Sequence, residues 1–472
     1  MQDRVAGSSR GRVASFGIAK MLAAVIAAVA IILAVVPFFA DVDGGLMRTA
    51  ALTVFAIGFW ATGVWPIGLT AVALFLFAVL FQIHPPALVF SGFASAALWL
   101  VFGGLVIGAS VRHTGLGERI ARGLVGRLGG SYLKVLSGLA LVSLALGFVM
   151  PSTMGRVVLL VPIVTVLADR LGYAPGTKGR HGLILATAFM SFTSAGTILP
   201  ALVPGLALAG LAETLYGIEI TYAGFLQIHF PVLGLLKIVF TVLIAAWLFG
   251  EPPGEVVADE GQAPPSSPEK WLAWVLIVAL VFWVTDFVHG ISPAWVALAA
   301  ALVILIPGSG MVGPRAFDRE LDYGSVFYVS AVLGLSAMLS ESGLAVVAGN
   351  WLFSILPFAQ GADAVNYGAL AILSSAMGLL VTNPGIPAVL SPLAQEIADV
   401  TGLPVMTVLM SQVIGFTNII LPYQASPLIV AMAMGKVPLG NGVKLALLSS
   451  LVGFAVLVPI NYAWWKFLGL LG

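Results

Sequence analysis

Long apolar runs separated by short polar connections make up most of the chain. After a polar start carrying Arg4, Arg10, Arg12 and Lys20, the first run extends to about Phe39. Further runs lie at about 47–64, 66–82, 91–111, 132–150, 155–168, 182–210, 224–249, 271–288, 291–307, 324–340, 363–382, 385–400, 404–431 and 441–468. A run of about 20 apolar residues spans a bilayer, so roughly ten or eleven spans fit. Backbone in lipid must satisfy its own hydrogen bonds, so each run predicts a helix. The first run exceeds the roughly 7–15-residue core of a signal peptide. It therefore reads as a retained span rather than a leader cut after Ala40. One long polar break, 250–270, is rich in Pro, Glu and Ser and reads as a linker between near-equal halves. These boundaries predict four segments: 1–40 (tail and first span), 41–249 (first half), 250–270 (linker) and 271–472 (second half).

Composition removes the soluble alternative. The 472 residues are 60% hydrophobic and 9% charged, with a mean hydropathy of +1.08, against about 25% charged in soluble domains. Too few charges exist to cover a water-facing surface. A net charge of +1 gives no basic footprint for nucleic acid. The absence of Cys excludes disulfides, Cys-ligated zinc and iron–sulfur clusters.

The few charges sort by position. Arg112, Arg119, Arg122, Arg127, Lys134, Arg170, Lys178, Arg180, Lys270, Arg315, Arg319, Lys436 and Lys444 fall into alternate connections. The opposite connections, near 40–46, 83–90, 211–223 and 341–403, hold no Lys or Arg, and all but 83–90 hold Asp or Glu. The positive-inside rule then predicts a multi-pass protein of the bacterial inner membrane with a cytoplasmic N-terminus.

Three features recur in the same order in both halves. GLVIGASVRHTGL (104–116) resembles VLGLSAMLSESGL (332–344), PSTMGRVVLLVP (151–162) resembles VTNPGIPAVLSP (381–392), and ILPALVPGLALAG (198–210) resembles ILPYQASPLIVAM (420–432). If each half crosses five times net, the second enters from the opposite side. Inverted repeats of this kind are a secondary-transporter pattern.

The second feature lies between two apolar arms in each half, at 132–168 and 363–400. Full spanning would carry Arg156 to the outer face, against the charge bias, so a re-entrant hairpin is the preferred reading. At its tips, Ser152, Thr153, Thr382 and Asn383 suit helix N-caps, and the free N–H groups beside them attract anions. Oxygens at the same turns can hold a small cation such as Na⁺. The third feature lies inside runs long enough to need a break, supplied by Gly196, Pro200, Pro204 and Gly205 in one and by Pro422 and Pro427 in the other. Thr197, Thr417, Asn418, Gln424 and Ser426 are the polar groups beside those breaks. Irregular backbone at membrane depth must be buried or line a wet cavity, so four discontinuities predict one central site.

These motifs resemble the divalent anion:sodium symporter family, carriers of dicarboxylates, citrate and sulfate. The resemblance covers nearly the whole chain. Ser152-Thr153-Met154 and Thr382-Asn383-Pro384 stand where the family carries Ser-Asn-Thr, keeping Ser152 in the first and Asn383 in the second. Gly196-Thr197…Pro204-Gly205 and Pro422-Tyr423-Gln424-Ala425-Ser426-Pro427 are similar to its broken fifth and tenth spans. The resemblance implies an all-α polytopic membrane protein of eleven spans with two re-entrant hairpins, a homodimer, and an elevator-like moving domain. The implied substrate set is Ser152, Thr153, Arg156, Thr197, Pro200, Thr382, Asn383, Pro422, Gln424 and Ser426. Ser152, Gly196, Asn383 and Asn418 are the implied Na⁺ positions; no other cofactor is expected.

Arg156 is expected to pair with the anionic substrate or to replace a lost Na⁺, with a carbonyl contact or a cytoplasmic cavity as the alternative. Lys237 is expected to snorkel or make a structural hydrogen bond. His113, His229, His289, Trp464 and Trp465 are expected at the interface. The leading function is a secondary transporter of a small dianion, as a Na⁺ symporter or an exchanger. A cation/proton antiporter and an intramembrane enzyme are the alternatives. The first would need buried carboxylates at the tips. The second would need a nucleophile–base or metal constellation, and no HExxH or GxSxG pattern occurs.

Overall fold

The computed structural model describes residues 20–39, 42–117, 119, 131–150, 152–252, 264–344, 347 and 355–471. Arg4, Arg10, Arg12, Arg122, Arg127 and the middle of the linker lie outside them. No strand occurs among the described residues. The longer helices are α1 (Lys20–Val35), α2 (Gly44–Thr62), α3 (Ile67–Leu80), α4 (Ala96–Thr114), α5 (Tyr132–Val149), α6 (Thr153–Arg170), α7 (Lys178–Ala195) and α8 (Val203–Tyr216). They continue with α9 (Tyr222–Phe249), α10 (Ser267–Val284), α11 (Pro293–Leu305), α12 (Tyr323–Glu341), α13 (Asp363–Leu390), α14 (Ala394–Thr401), α15 (Val405–Thr417), α16 (Ser426–Met434) and α17 (Leu439–Phe467). Among the described residues, Tyr132–Val149, Tyr222–Phe249 and Leu439–Phe467 are each long and apolar enough to cross a membrane.

Local chemistry sets the helix starts. Ser131, Ser152, Thr177 and Thr221 each accept a hydrogen bond from a backbone N–H in the first turn of the helix that follows. Ser266 and Glu269 form a reciprocal capping box where the linker enters α10. Gly115 and Gly343, matched in the repeat, follow the ends of α4 and α12 with φ of 78° and 73°, a left-handed conformation that favours glycine. The outer surface is apolar. Leu69, Val72, Leu76 and Leu80 on α3, and Trp271, Trp274, Ile277, Val278 and Val281 on α10, are exposed at helical spacing. Such a surface suits lipid rather than water.

The first predicted hairpin is a reversal built on α7. Tyr132 at the start of α5 donates to the Gly179 carbonyl at 2.8 Å, and farther along Ser191 donates to Ser143 Oγ at 3.3 Å. The reversal falls between Met150, which ends α5, and Ser152, which caps α6. Thr153 donates to the Ala201 carbonyl at 3.2 Å, and Asp169 near the end of α6 pairs with Arg180. Both arms thus lie along α7, starting and ending beside its N-terminal end.

The second hairpin differs in form. Helical backbone runs unbroken through Asp363–Leu390, where two short helices capped at Thr382–Asn383 were expected. A straight helix of that length would extend about 42 Å. The following turn and α14 could retrace only about 18 Å. Yet Gly361 donates to the Thr401 carbonyl, and Ser374 and Ser391 reach the adjacent residues Ser411 and Gln412 of α15. The chain therefore doubles back within the helical stretch 363–390, where a Cβ on Gly378 would lie 3.3 Å from Ile386 Cδ1. Asn366 closes the base, bonding to both backbone groups of Ala359 and to the Thr401 carbonyl.

The long runs 182–210 and 404–431 are broken as expected. Residues 196–202 separate α7 from α8, and residues 418–425 separate α15 from α16, with a short 3₁₀ turn at Pro422–Gln424. Asn441, just beyond α16, lies 3.2 Å from His181 near the start of α7. One broken span therefore ends where the other begins, and the two run antiparallel.

Candidate binding site at the paired helix breaks

The two breaks touch. A Cβ added to Gly196 would lie 2.3 Å from Thr417 Cγ2, so the first break sits directly against the end of α15. Each break is also backed by a π-helical segment of the next span. In the first half Phe230–Leu236 is π-helical, and a Cβ on Gly234 would lie 2.5 Å from Thr197 Oγ1. In the second half Gly453–Leu457 is π-helical, and a Cβ on Gly453 would lie 3.2 Å from Asn418 Oδ1. Repetition of this arrangement in both halves was not read from the sequence. The visible signs were a Gly within six residues of a Pro in each of these spans (Pro231 and Gly234, Gly453 and Pro459).

Both tips reach these breaks. At the first, Ser152 Oγ accepts from Gly155 N–H at 3.1 Å as the N-cap of α6, while Thr153 bonds the Ala201 carbonyl inside the break. Arg156 is fully buried. Its guanidinium donates to the Met150 carbonyl, to Thr153 Oγ1 at 3.1 Å and to the Ser191 carbonyl at 3.0 Å. Its Nε has no partner in the structure. At the second tip, Asn383 donates to the Phe416 carbonyl at 3.0 Å rather than capping a helix. The side chain of Thr382 lies outside the described residues.

Two atoms at the second tip stand out. Gln424 Oε1 accepts from the Ile420 and Leu421 N–H groups at 2.7 and 2.8 Å, which leaves Nε2 buried and unpartnered. Asn383 Oδ1 is likewise buried and unpartnered. Both reach the same point over α13, since a Cβ on Gly378 would lie 2.8 Å from Gln424 Nε2 and 3.1 Å from Asn383 Oδ1. Buried polar atoms are normally paired, so an unmatched donor and acceptor side by side mark a place for a ligand or water.

The remaining expected residues divide. Thr197 donates to the Ser194 carbonyl at 3.0 Å. Pro200, buried, follows a cis peptide bond, and Pro422 begins the 3₁₀ turn. Ser426, exposed, opens α16. Asn418 donates to Ser375 Oγ at 3.4 Å, leaving Oδ1 unpartnered.

Two expectations are corrected. His229 is fully buried, with its ring against Phe225 and Trp465 and Nε2 3.2 Å from Met410 Sδ. Trp465 is fully buried as well. Both sit on inward faces of their helices, where packing overrides the usual interfacial preference of such side chains. For Lys237 the expected structural hydrogen bond is the one found: it is buried, and Nζ donates to the Thr417 carbonyl at 2.7 Å. Arg112, assigned above only to a charged connection, is exposed and reaches the first tip. A Cβ on Gly155 would lie 3.0 Å from its Nη1 and 3.2 Å from Ser152 Oγ.

Comparison with known proteins agrees with this architecture. The sequence is similar to the chloroplastic dicarboxylate transporter 2.2 of Arabidopsis thaliana, at 25% identity over 88% of this chain and 76% of that one. It is also similar to the L-tartrate/succinate antiporter of Escherichia coli, at 22% identity over 79% of each. The YdaH transporter of Alcanivorax borkumensis shares the fold, with a TM-score of 0.56 at 14% identity over 90% of this chain and 99% of that one. The sodium:sulfate symporter transmembrane region matches residues 18–471, nearly the full chain. The chain therefore belongs to the sodium:sulfate symporter family of membrane transporters.

Proposed function

We propose that this protein is a secondary transporter that carries small dianions of the dicarboxylate, sulfate or sulfonate class across the cell membrane. The observation that carries the reading is the pair of unspent amide atoms on Asn383 and Gln424, beside two broken helices that touch at Gly196 and Thr417. Gln424 Nε2 supplies an N–H donor for a carboxylate or sulfate oxygen. The capped start of α6 adds the positive end of a helix, and Arg112 adds charge at its mouth. Relatives named for dicarboxylates and for tartrate and succinate favour an organic dianion.

Both hairpins act as re-entrant elements whose tips stop at the breaks. In support, the arms of the first end level with residues 191–201, while α8 has 14 residues still to run. The hairpins and broken spans move together, elevator-like, against the remaining helices of a homodimer whose N-terminus is cytoplasmic. The charge pattern favours that orientation. Arg119–Glu269, Arg180–Asp169 and the Gly179–Glu251 contact gather predicted inner residues.

Counterflow into proteoliposomes tests the function. Vesicles loaded with succinate, tartrate or sulfate should accumulate the same labelled anion. Failure of every small dianion would sink the reading.

A further inference from the structure

Helices α5 and α9 lie antiparallel and enclose a groove on the apolar surface. At one end Tyr132, which starts α5, and Phe249, which ends α9, meet at Gly182, where an added Cβ would strike both. At the other end the rings of Phe148 and Phe230 lie 5.7 Å apart. Between these contacts lies a cavity of about 350 Å³, inside the range of roughly 300–1,000 Å³ found for small-molecule sites. Its shape follows from the sequence. Ser137 and Ala140, one turn apart on α5, are too small to fill the space opposite Leu235, Val239 and Leu243 of α9. Ile238 and Val242 are buried at the floor, whereas Leu235, Val239 and Leu243 are half exposed. Of the lining side chains only Ser137 is polar.

Length and charge identify what fills it. From Leu133 to Leu144, the lining residues farthest apart on α5, the helix rises about 16 Å. Half of a bilayer's hydrocarbon core is about 15 Å. The groove is therefore one leaflet deep, with the Phe148–Phe230 pair at its deep end and Tyr132, Gly179 and Phe249 at its mouth. That mouth suits a lipid headgroup. Lys134 is exposed on the same face of α5 as Leu141, seven residues on. Trp247 is exposed one turn beyond Leu243, and Trp favours the headgroup level. Lys178, exposed in the first turn of α7, adds a second cation. Nearby carboxylates are committed: Glu251 accepts from Gly179 N–H at 2.8 Å, and Asp169 pairs with Arg180.

We infer that this groove binds an acyl chain of an anionic phospholipid whose phosphate sits on Lys134. The inference does not depend on the anion-carrier reading. The orientation proposed above decides only that the lipid comes from the cytoplasmic leaflet. Its acyl chain covers apolar side chains that α5 and α9 leave open, on the side of α9 turned away from the buried Lys237. The lipid thereby bridges the first hairpin and the helix behind the first break.

The test uses the full-length protein in mild detergent, titrated with dioleoyl phosphatidylglycerol or dioleoyl phosphatidylcholine and followed by native mass spectrometry. The wild type should hold one phosphatidylglycerol per chain more tightly than any that follow. It should prefer that lipid over phosphatidylcholine by about fivefold, the contribution of one Lys at an anionic headgroup. K134Q should bind the two lipids equally. S137W fills the groove from an exposed position; it should lose the tight lipid of either kind and keep its melting temperature.

Equal binding of both lipids by the wild type overturns the inference, as does a tight lipid retained in S137W. A dimer that S137W breaks also overturns it, because a second copy of the chain would then cover the groove. If S137W fails to fold, K134Q decides alone: an unchanged preference for phosphatidylglycerol overturns the inference, and its loss supports it.

Discussion

Gly196 of the first broken span and Thr417 of the second pack directly against each other, so the two breaks meet at this glycine. Thr417 is β-branched and stiff, and a methyl on Gly196 would fall 2.3 Å from its Cγ2. G196A should destabilise the protein by about 1–3 kcal/mol, the usual cost of overpacking, and abolish uptake. T417S removes Cγ2 and keeps the hydroxyl on the Val413 carbonyl. The double variant should regain much of the lost melting temperature. Additive losses in that cycle would show that the two residues do not oppose each other.

Gln424 separates structure from binding within one side chain. Its Oε1 holds the Ile420 and Leu421 N–H groups, whereas Nε2 is free. In Q424E the carboxylate keeps the first role and presents an anionic acceptor in the second. Uptake should fall about 10–100-fold, as expected for losing a hydrogen bond to a charged group, with the melting temperature largely kept. Q424A drops the backbone contacts too and should lower stability by about 1–3 kcal/mol. Equal thermal losses in both variants would refute this division.

Arg112 is exposed, so its effect should be electrostatic and modest. R112Q should raise the KM for a dianion about 2–5-fold, in keeping with an exposed charge pair, and leave kcat unchanged. The KM of the wild type should climb with ionic strength more steeply than that of the variant. Parallel salt curves would remove Arg112 from the site.

The π-helical segments predict a graded pair. A Cβ on Gly234 meets Thr197 Oγ1 at 2.5 Å, but one on Gly453 meets Asn418 Oδ1 at 3.2 Å. G234A should therefore cost about 1–3 kcal/mol, and G453A should cost less. Uptake and melting temperature should fall in that order. The reverse order would mean that the contacts do not limit the substitutions.

Much of the framework was legible because lipid leaves a chain few choices. Apolar run length placed the helices, and Pro and Gly inside the long runs placed both breaks. Repeated motifs brought Gly115 and Gly343 to equivalent helix ends. What stayed hidden depended on side-chain direction. His229 and Trp465 look interfacial by residue type, but each turns inward once its helix packs. Lys237 reads as a lone cation in an apolar run, and nothing local indicates that its partner is a carbonyl 180 positions away. The second tip was misread for a related reason. Thr-Asn-Pro promises a capped break, yet Asn383 caps no helix there. Asn383, released from capping, serves α15 instead.

The π-helical stretch before Lys237 also acts as a rotational setting. An α-helix advances about 100° per residue. Rewinding that stretch as ordinary α-helix with every residue kept would turn Lys237 by about 100°, toward the side held by Leu235, Val239 and Leu243, all exposed apolar side chains. The ammonium would then face the hydrocarbon instead of Thr417. The aim of this charge is thus stored in the winding of the helix as much as in the identity of the residue.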